Sequence, residues 1–375
     1  MPVEFVGHVG SRAGSDVVPA SGPVVDKEYI RRIARAAEDH DFDRLLIGSF
    51  STIADNNQIA AFVLHETQRL GVMLAHRTGF VPPTIGARQL ATLDHFSDGR
   101  LGVHIITGGT DEDQQRDGDF LNKDDRYTRT DEYLDVLKRV WSSDTPFDHE
   151  GRFYKFKGAF STVKPFQQPR IPIYFGGSSD AAIEVAGKHA DVYALWGEPL
   201  DGTRETIARV RAAAAKHGRA DQIRFVLAFR PVVAETEAKA WERADRILEA
   251  VKARGGVDSP NARTQGLPMN VGSVRLREAA ARGRVLDKRL WTEVAAVSGA
   301  GGNSTALVGT GEQVAESLLD YYDLGVTTFL VRCFYPEEDT VTYGREVIGL
   351  VRQEVARREA QAAVHQAAGQ SVAAE

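Results

Sequence analysis

The run Ile173-Tyr174-Phe175-Gly176-Gly177-Ser178-Ser179-Asp180-Ala181-Ala182 carries the clearest chemical signal in the sequence. An apolar strand passes into two glycines, two serines and then a helix. Glycine lets a ligand approach the backbone closely. Ser178 and Ser179 place hydroxyls beside the free N–H groups of a helix N-terminus, an arrangement suited to a phosphate. A serine-capped helix after a tight turn has the same pattern. Arg126 and Tyr127, which begin another helix, could reach the same anion, or could be a surface arginine beside a packing tyrosine.

Further candidates end other apolar runs. Thr107-Gly108-Gly109 ends one and Trp196-Gly197-Glu198-Pro199 another. Trp196 either stacks on a ligand or closes the mouth of the fold. His8 and His76 end two more runs and are candidates for the pocket, whereas His104 lies within a run and reads as core. No HExxH or paired ligand spacing occurs, so no metal is expected. The absence of a GxSxG elbow leaves acyl transfer unsupported. There is no Walker A motif, and Gly299-Ala300-Gly301-Gly302-Asn303-Ser304 lacks the third glycine of a dinucleotide fingerprint.

The elements that position these residues alternate. Eight runs rich in β-branched and aliphatic residues read as strands: Val3–Val9, Arg44–Ile47, Gly71–Ala75, Leu101–Ile106, Ile171–Phe175, Asp191–Leu195, Arg224–Val233 and Val326–Cys333. Helical periodicity fills most of the gaps; in Asp26–His40, Ile30, Ile33, Ala34 and Ala37 recur at three- and four-residue spacing behind Asp26 as N-cap. Strand–helix alternation implies a parallel sheet. Eight units favour an α/β fold of the (β/α)8 TIM-barrel type over an open sheet, with strand ends at the active face. A single barrel domain over 1–357 and a tail over 358–375 are expected. Three stretches break the repeat: a polar loop over 107–125, a hairpin with an extended connection over 146–168, and an insertion over 253–305 between strands 7 and 8. From 251 to 290 there are nine Lys/Arg against three Asp/Glu. This marks either a solvated loop or a cationic lid over an anionic ligand.

Composition narrows the classes. The chain has 375 residues, 46 Lys plus Arg against 52 Asp plus Glu, and a net charge of −6. That acidity argues against a nucleic-acid partner. The single cysteine, Cys333, excludes a disulfide framework and reads as a small buried thiol. No apolar run is long enough to cross a membrane, and MPVEFVGHVG lacks a signal-peptide pattern, so a cytoplasmic location is expected.

Together Ala87–Asp94, Ser97–Arg100, Ile106–Gly109, Tyr174–Asp180, Trp196–Pro199 and Thr305–Gly309 resemble the bacterial luciferase-like flavin monooxygenases, and within them the alkanesulfonate monooxygenase group. The resemblance spans about residues 25–350. It implies a (β/α)8 barrel using reduced FMN from a separate NAD(P)H:flavin reductase, with O2 as co-substrate through a flavin C4a-(hydro)peroxide. It implies a homodimer or homotetramer acting on a small molecule, an alkanesulfonate cleaved at C–S with release of sulfite. Gly177, Ser178, Ser179 and Tyr127 match the family's phosphate site, Thr107 a position near the flavin ring, Trp196 a pocket-lining residue and Tyr335 an active-site tyrosine. The insertion 253–305 matches its lid.

Departures bear on the substrate. The group's Arg-x-His pair on strand 7 is replaced by Ala228-Phe229-Arg230, an arginine after the lid by Ser298, and a cysteine after strand 2 by Ile53. Arg230 could supply a guanidinium from a shifted position, since its planar fork suits a sulfonate or carboxylate; it could also pair with a loop carboxylate. Arg263, Arg275 or Arg277 could supply another. On this reading Arg230, Tyr335 and His8 are catalytic candidates, and Trp196, Arg230, Tyr335 and His76 substrate contacts. A sulfone, an alkane or another small compound is the alternative substrate, and an F420-dependent oxidoreductase the alternative chemistry.

Overall fold

The eight expected strands all form. A computed structural model describes residues 3–254 and 270–372, with side chains to residue 363. Its strands β1 (Glu4–His8), β2 (Arg44–Ile47), β3 (Gly71–Arg77), β4 (Leu101–Ile106), β5 (Ile173–Gly176), β6 (Val192–Trp196), β7 (Arg224–Phe229) and β8 (Thr328–Val331) close into one parallel barrel. Going round the ring, the order is β1-β8-β7-β6-β5-β4-β3-β2. Side chains alternate across each strand. Val6, Met73, Tyr174, Val192 and Val226 therefore pack together inside the barrel, with Leu46, Ala194 and Leu330 against them. The opposite faces join a larger apolar layer beneath the helices.

Local signals set the helices. Asp26 Oδ1 accepts from Glu28 N at 3.1 Å and Tyr29 N at 3.0 Å, capping Lys27–Asp39. That helix buries Tyr29, Ile30, Ile33, Ala34 and Ala37 on one face. The stretch 107–125 is not a continuous loop, because Thr110 caps a short helix over Asp111–Arg116. The next helix begins at Lys123, earlier than the apolar pattern suggests, because Asn122 caps it. The hairpin expected within 146–168 pairs Phe147–Glu150 with Lys155–Ala159. The last helix, Gly349–Val372, runs on through the expected tail.

The insertion is more ordered than a bare loop. Its described part holds helix Val271–Arg282, short strands Val285–Leu286 and Leu290–Trp291, and helix Glu293–Ser298. With Val232–Val233 and Ala306–Gly309 these strands make a small four-stranded sheet beyond the end of β7. Among the described residues, most of its positive charge pairs with acidic groups of the barrel. Arg275 pairs with Glu198 and Glu205, Arg282 with Asp201, Lys288 with Glu316 and Asp320, and Arg289 with Glu237. Arg263 lies outside the described residues.

Candidate active site

The glycine–serine turn follows β5 at the C-terminal end of the barrel, as the alternation requires. Gly177 has φ +142°, and a Cβ there would stand 2.7 Å from Ala182 Cβ and 3.1 Å from the Tyr127 hydroxyl. A side chain would fill this cradle. Ser179 caps helix Asp180–His189, its hydroxyl accepting from Ala182 N at 3.3 Å. The Tyr127 hydroxyl faces Ser179 and the Gly177 turn. Ser178 makes no side-chain hydrogen bond to a described residue, so its hydroxyl is free beside the helix N-terminus. Gly177, Ser178, Ser179 and Tyr127 are thus brought together. Arg126 is not with them: its guanidinium pairs with Asp111 at 2.8 Å and donates to the Leu121 carbonyl at 2.7 Å.

Trp196 ends β6 beside this cradle. Helix Val271–Arg282 crosses above it so closely that a Cβ on Gly272 would lie 2.9 Å from the indole and 3.3 Å from Ser178 Oγ. Trp196 also packs with Leu276, Ala295 and Ala300 of the insertion. Thr107, after β4, is buried with its hydroxyl unpartnered. His104 projects into the barrel, and a Cβ on Gly176 would stand 3.6 Å from its Cε1; its Nδ1 is likewise buried without a partner. Asn303, past the insertion, buries an amide with neither end bonded. Buried polar atoms are normally hydrogen-bonded, so Thr107, His104 and Asn303 mark surfaces shaped for a polar ligand or water. His104 therefore departs from the satisfied core residue expected of it, and Asn303 carries no motif that points to it.

The opposite side of the mouth holds a charged group. His8, inward-facing on β1, is half-buried and makes no side-chain hydrogen bond to a described residue. Its pKa falls to about 3, first through burial and then through repulsion from Arg332 and Arg230, with Asp16 opposing. It is a neutral imidazole at pH 7. Arg230 follows β7, is 2% exposed and pairs with Asp16, whose pKa is held at about 2 against the cost of burial by Arg230 and Arg332. Arg230 also donates to the Cys333 carbonyl at 3.2 Å and lies 3.8 Å from the Phe334 ring centre. It is a strand-end arginine held by a loop carboxylate, with little of its guanidinium left to receive a substrate.

Two expected contacts point elsewhere. His76 faces outward, because Met73 faces the barrel interior and residues three apart on a strand lie on opposite faces. Its Nε2 lies 2.6 Å from the Tyr133 hydroxyl in the helix layer, and burial lowers its pKa to about 4. Tyr335 turns from the mouth to the small sheet's apolar core, with Arg243 5.4 Å from its ring centre. Cys333 is the buried thiol expected, 3.7 Å from the Thr340 hydroxyl.

The model of one family, described as luciferase-like monooxygenase, matches residues 4–328. The chain belongs to the luciferase-like monooxygenase family. It is an enzyme of the oxidoreductase class. Among solved structures it is similar to riboflavin lyase (RcaE), in complex with modified FMN and riboflavin, at 21% identity, TM-score 0.77, and 94% and 92% coverage of the two chains. EDTA monooxygenase (EmoA) from Chelativorans sp. BNC1 matches at 20% identity and TM-score 0.73, covering 94% of each chain. Long-chain alkane monooxygenase (LadA) matches at 18% identity and TM-score 0.74, covering 96% and 92%. At these identities the likeness is one of fold.

Proposed function

We propose that this monooxygenase uses reduced FMN, supplied by a separate NAD(P)H:flavin reductase, and O2 to oxygenate a small organosulfur compound such as an alkanesulfonate, releasing sulfite. The observation that carries the flavin assignment is the cradle of Gly177, Ser178, Ser179 and Tyr127 at the N-terminus of helix Asp180–His189. A helix N-terminus, a backbone open to close approach and a free hydroxyl suit a phosphate dianion. The residues present fit the group: the cradle would hold the phosphate, while Thr107 and Trp196 would border the ring system.

Bound reduced FMN supplies the oxygen chemistry. This chain's residues orient the reactants and exclude water. Helix Val271–Arg282, seated on Trp196 and Ser178, covers the mouth. His8 offers a neutral imidazole there that can accept or donate a hydrogen bond without carrying charge. Arg230 is a positioning residue, fixing the loop through Asp16.

The test is O2 consumption and sulfite release by purified protein with FMN, NADH and a flavin reductase, over alkanesulfonates, sulfones and alkanes. Sulfite formation dependent on one sulfonate or sulfone is the expected result. Flavin binding without sulfite from any compound would sink the organosulfur assignment and leave the flavin reading standing.

A further inference from the structure

One charged side chain at the mouth has no partner among the described residues. Arg332 follows β8, and its backbone N donates to the Phe229 carbonyl at 2.9 Å. The register pairs Val6 with Leu330 and Leu330 with Ala228. Two residues further on, His8, Arg332 and Arg230 fall in one inward-facing row across β1, β8 and β7.

The guanidinium of Arg332 makes no ion pair and no side-chain hydrogen bond to any described residue. Arg230 is paired with Asp16, and Arg77, another arginine of the mouth, with Asp113 and Asp117. Arg332 is half-buried and loses hydration, and Arg230 repels it more strongly than Asp16 attracts it. Two guanidiniums against one carboxylate, beside a neutral imidazole, leave a single positive charge. An arginine stays protonated in proteins, and a desolvated charge without a partner is costly. The complementary ligand is a monoanion whose oxygens match the fork of a guanidinium.

The row also has the right address. β8 lies three strands and β1 four strands round the ring from β5, which carries the phosphate cradle. The unpartnered guanidinium and the glycine–serine cradle therefore stand on opposite sides of the mouth.

We propose that Arg332 receives an anionic head group, a carboxylate or sulfonate, on the enzyme's organic substrate, with the Asp16–Arg230 pair holding the adjoining wall. This rests on the monooxygenase reading for what the opposite cradle holds. Neither Asp16 nor Arg332 belongs to the motifs that carry the family resemblance.

The test is calorimetric titration of full-length protein with octane-1-sulfonate, octanoate and 1-octanol, alongside a separate FMN titration. The expected result is that at least one anion binds roughly ten- to a hundredfold more tightly than the alcohol. Arg332→Gln should remove that advantage, leave FMN affinity unchanged, and be partly rescued by Arg332→Lys. Equal binding of all three probes, binding of none, or undiminished anion binding by Arg332→Gln would overturn the proposal. Because the first comparison uses the wild-type protein, it decides the matter even if a variant misfolds. Failure of FMN to bind would instead count against the flavin reading, and the probe titrations can be run without FMN.

Discussion

Arg275, on the helix that crosses the barrel mouth, grips the carboxylate of Glu198, two residues beyond Trp196, with three contacts of 2.7–2.9 Å. The pair is largely buried, with side-chain exposures of 19% and 8%. It joins the insertion to the strand end that contributes to the pocket. The insertion's basic residues thus act as fasteners to the barrel, and the helix they hold covers Trp196 and Ser178.

Glu198→Gln should loosen that helix. Removing the charge from a mostly buried pair costs about 1–3 kcal/mol. Water would then reach the mouth more readily, so more NADH and O2 should be consumed per product formed, with little change in FMN affinity. The measurement is the ratio of product to NADH oxidised. An unchanged ratio, with an unchanged fold, would show that the latch does not govern access.

The phosphate cradle makes a sharper demand. Gly177→Ala places a Cβ where 2.7 Å separates it from Ala182, at a φ of +142° that side chains rarely adopt. Ser178→Ala removes a hydroxyl that bonds to no described residue. The serine change should weaken FMN binding by about 1.5–3 kcal/mol while sparing thermal stability; the glycine change should lower both. If Ser178→Ala binds FMN as tightly as the wild type, the phosphate does not lie against that hydroxyl.

Three desolvated histidines outside any ion pair, His8, His76 and His104, give the fold a pH signature. The pKa is lowered to about 3 for His8 and to about 4 for His76 and His104, with burial the leading cause each time. In the unfolded chain each returns to about 6.5. Between these limits the unfolded state binds more protons, so stability is complete above about pH 6.5 and declines as the pH falls toward 4. Near pH 5 the three contribute a slope of up to about 4 kcal/mol per pH unit. Denaturant titrations from pH 7 to pH 4.5 should show the decline, and His104→Asn should reduce the slope by about a third. A flat profile would mean that these imidazoles protonate without unfolding the chain.

How much of this was legible in the sequence depended on range. The barrel and the serine-capped turn after Phe175 rest on local signals, strand propensity and a helix cap, and both form. His76 was misplaced because β3 is buried on both faces, so its sequence has no polar–apolar alternation to show which way a residue points. The strand runs on to Arg77, and parity then sends His76 outward. The charge excess of the insertion was visible, but its acidic partners are scattered from Glu198 to Asp320. Arg332 had a usable signal: a charged residue two positions beyond an inward-facing leucine in the last strand. Asp16 had none, since its partner is 214 residues away.

That long-range pair supplies the last prediction. Arg230 is 2% exposed and Asp16 is its ion-pair partner, so Asp16→Ala leaves a buried cation without its counter-ion. Breaking such a pair from one side costs about 3–5 kcal/mol. Arg230→Met strands Asp16 instead, but a carboxylate can take up a proton, so its penalty should be smaller and should shrink further below pH 5. Replacing both residues, Asp16→Leu with Arg230→Met, should recover much of the loss, because neither member of the pair is left without the other. A double-mutant cycle by urea denaturation measures the coupling. Additive effects would mean that the two charges are solvated separately, and that Arg230, like Arg332, is free to meet a ligand.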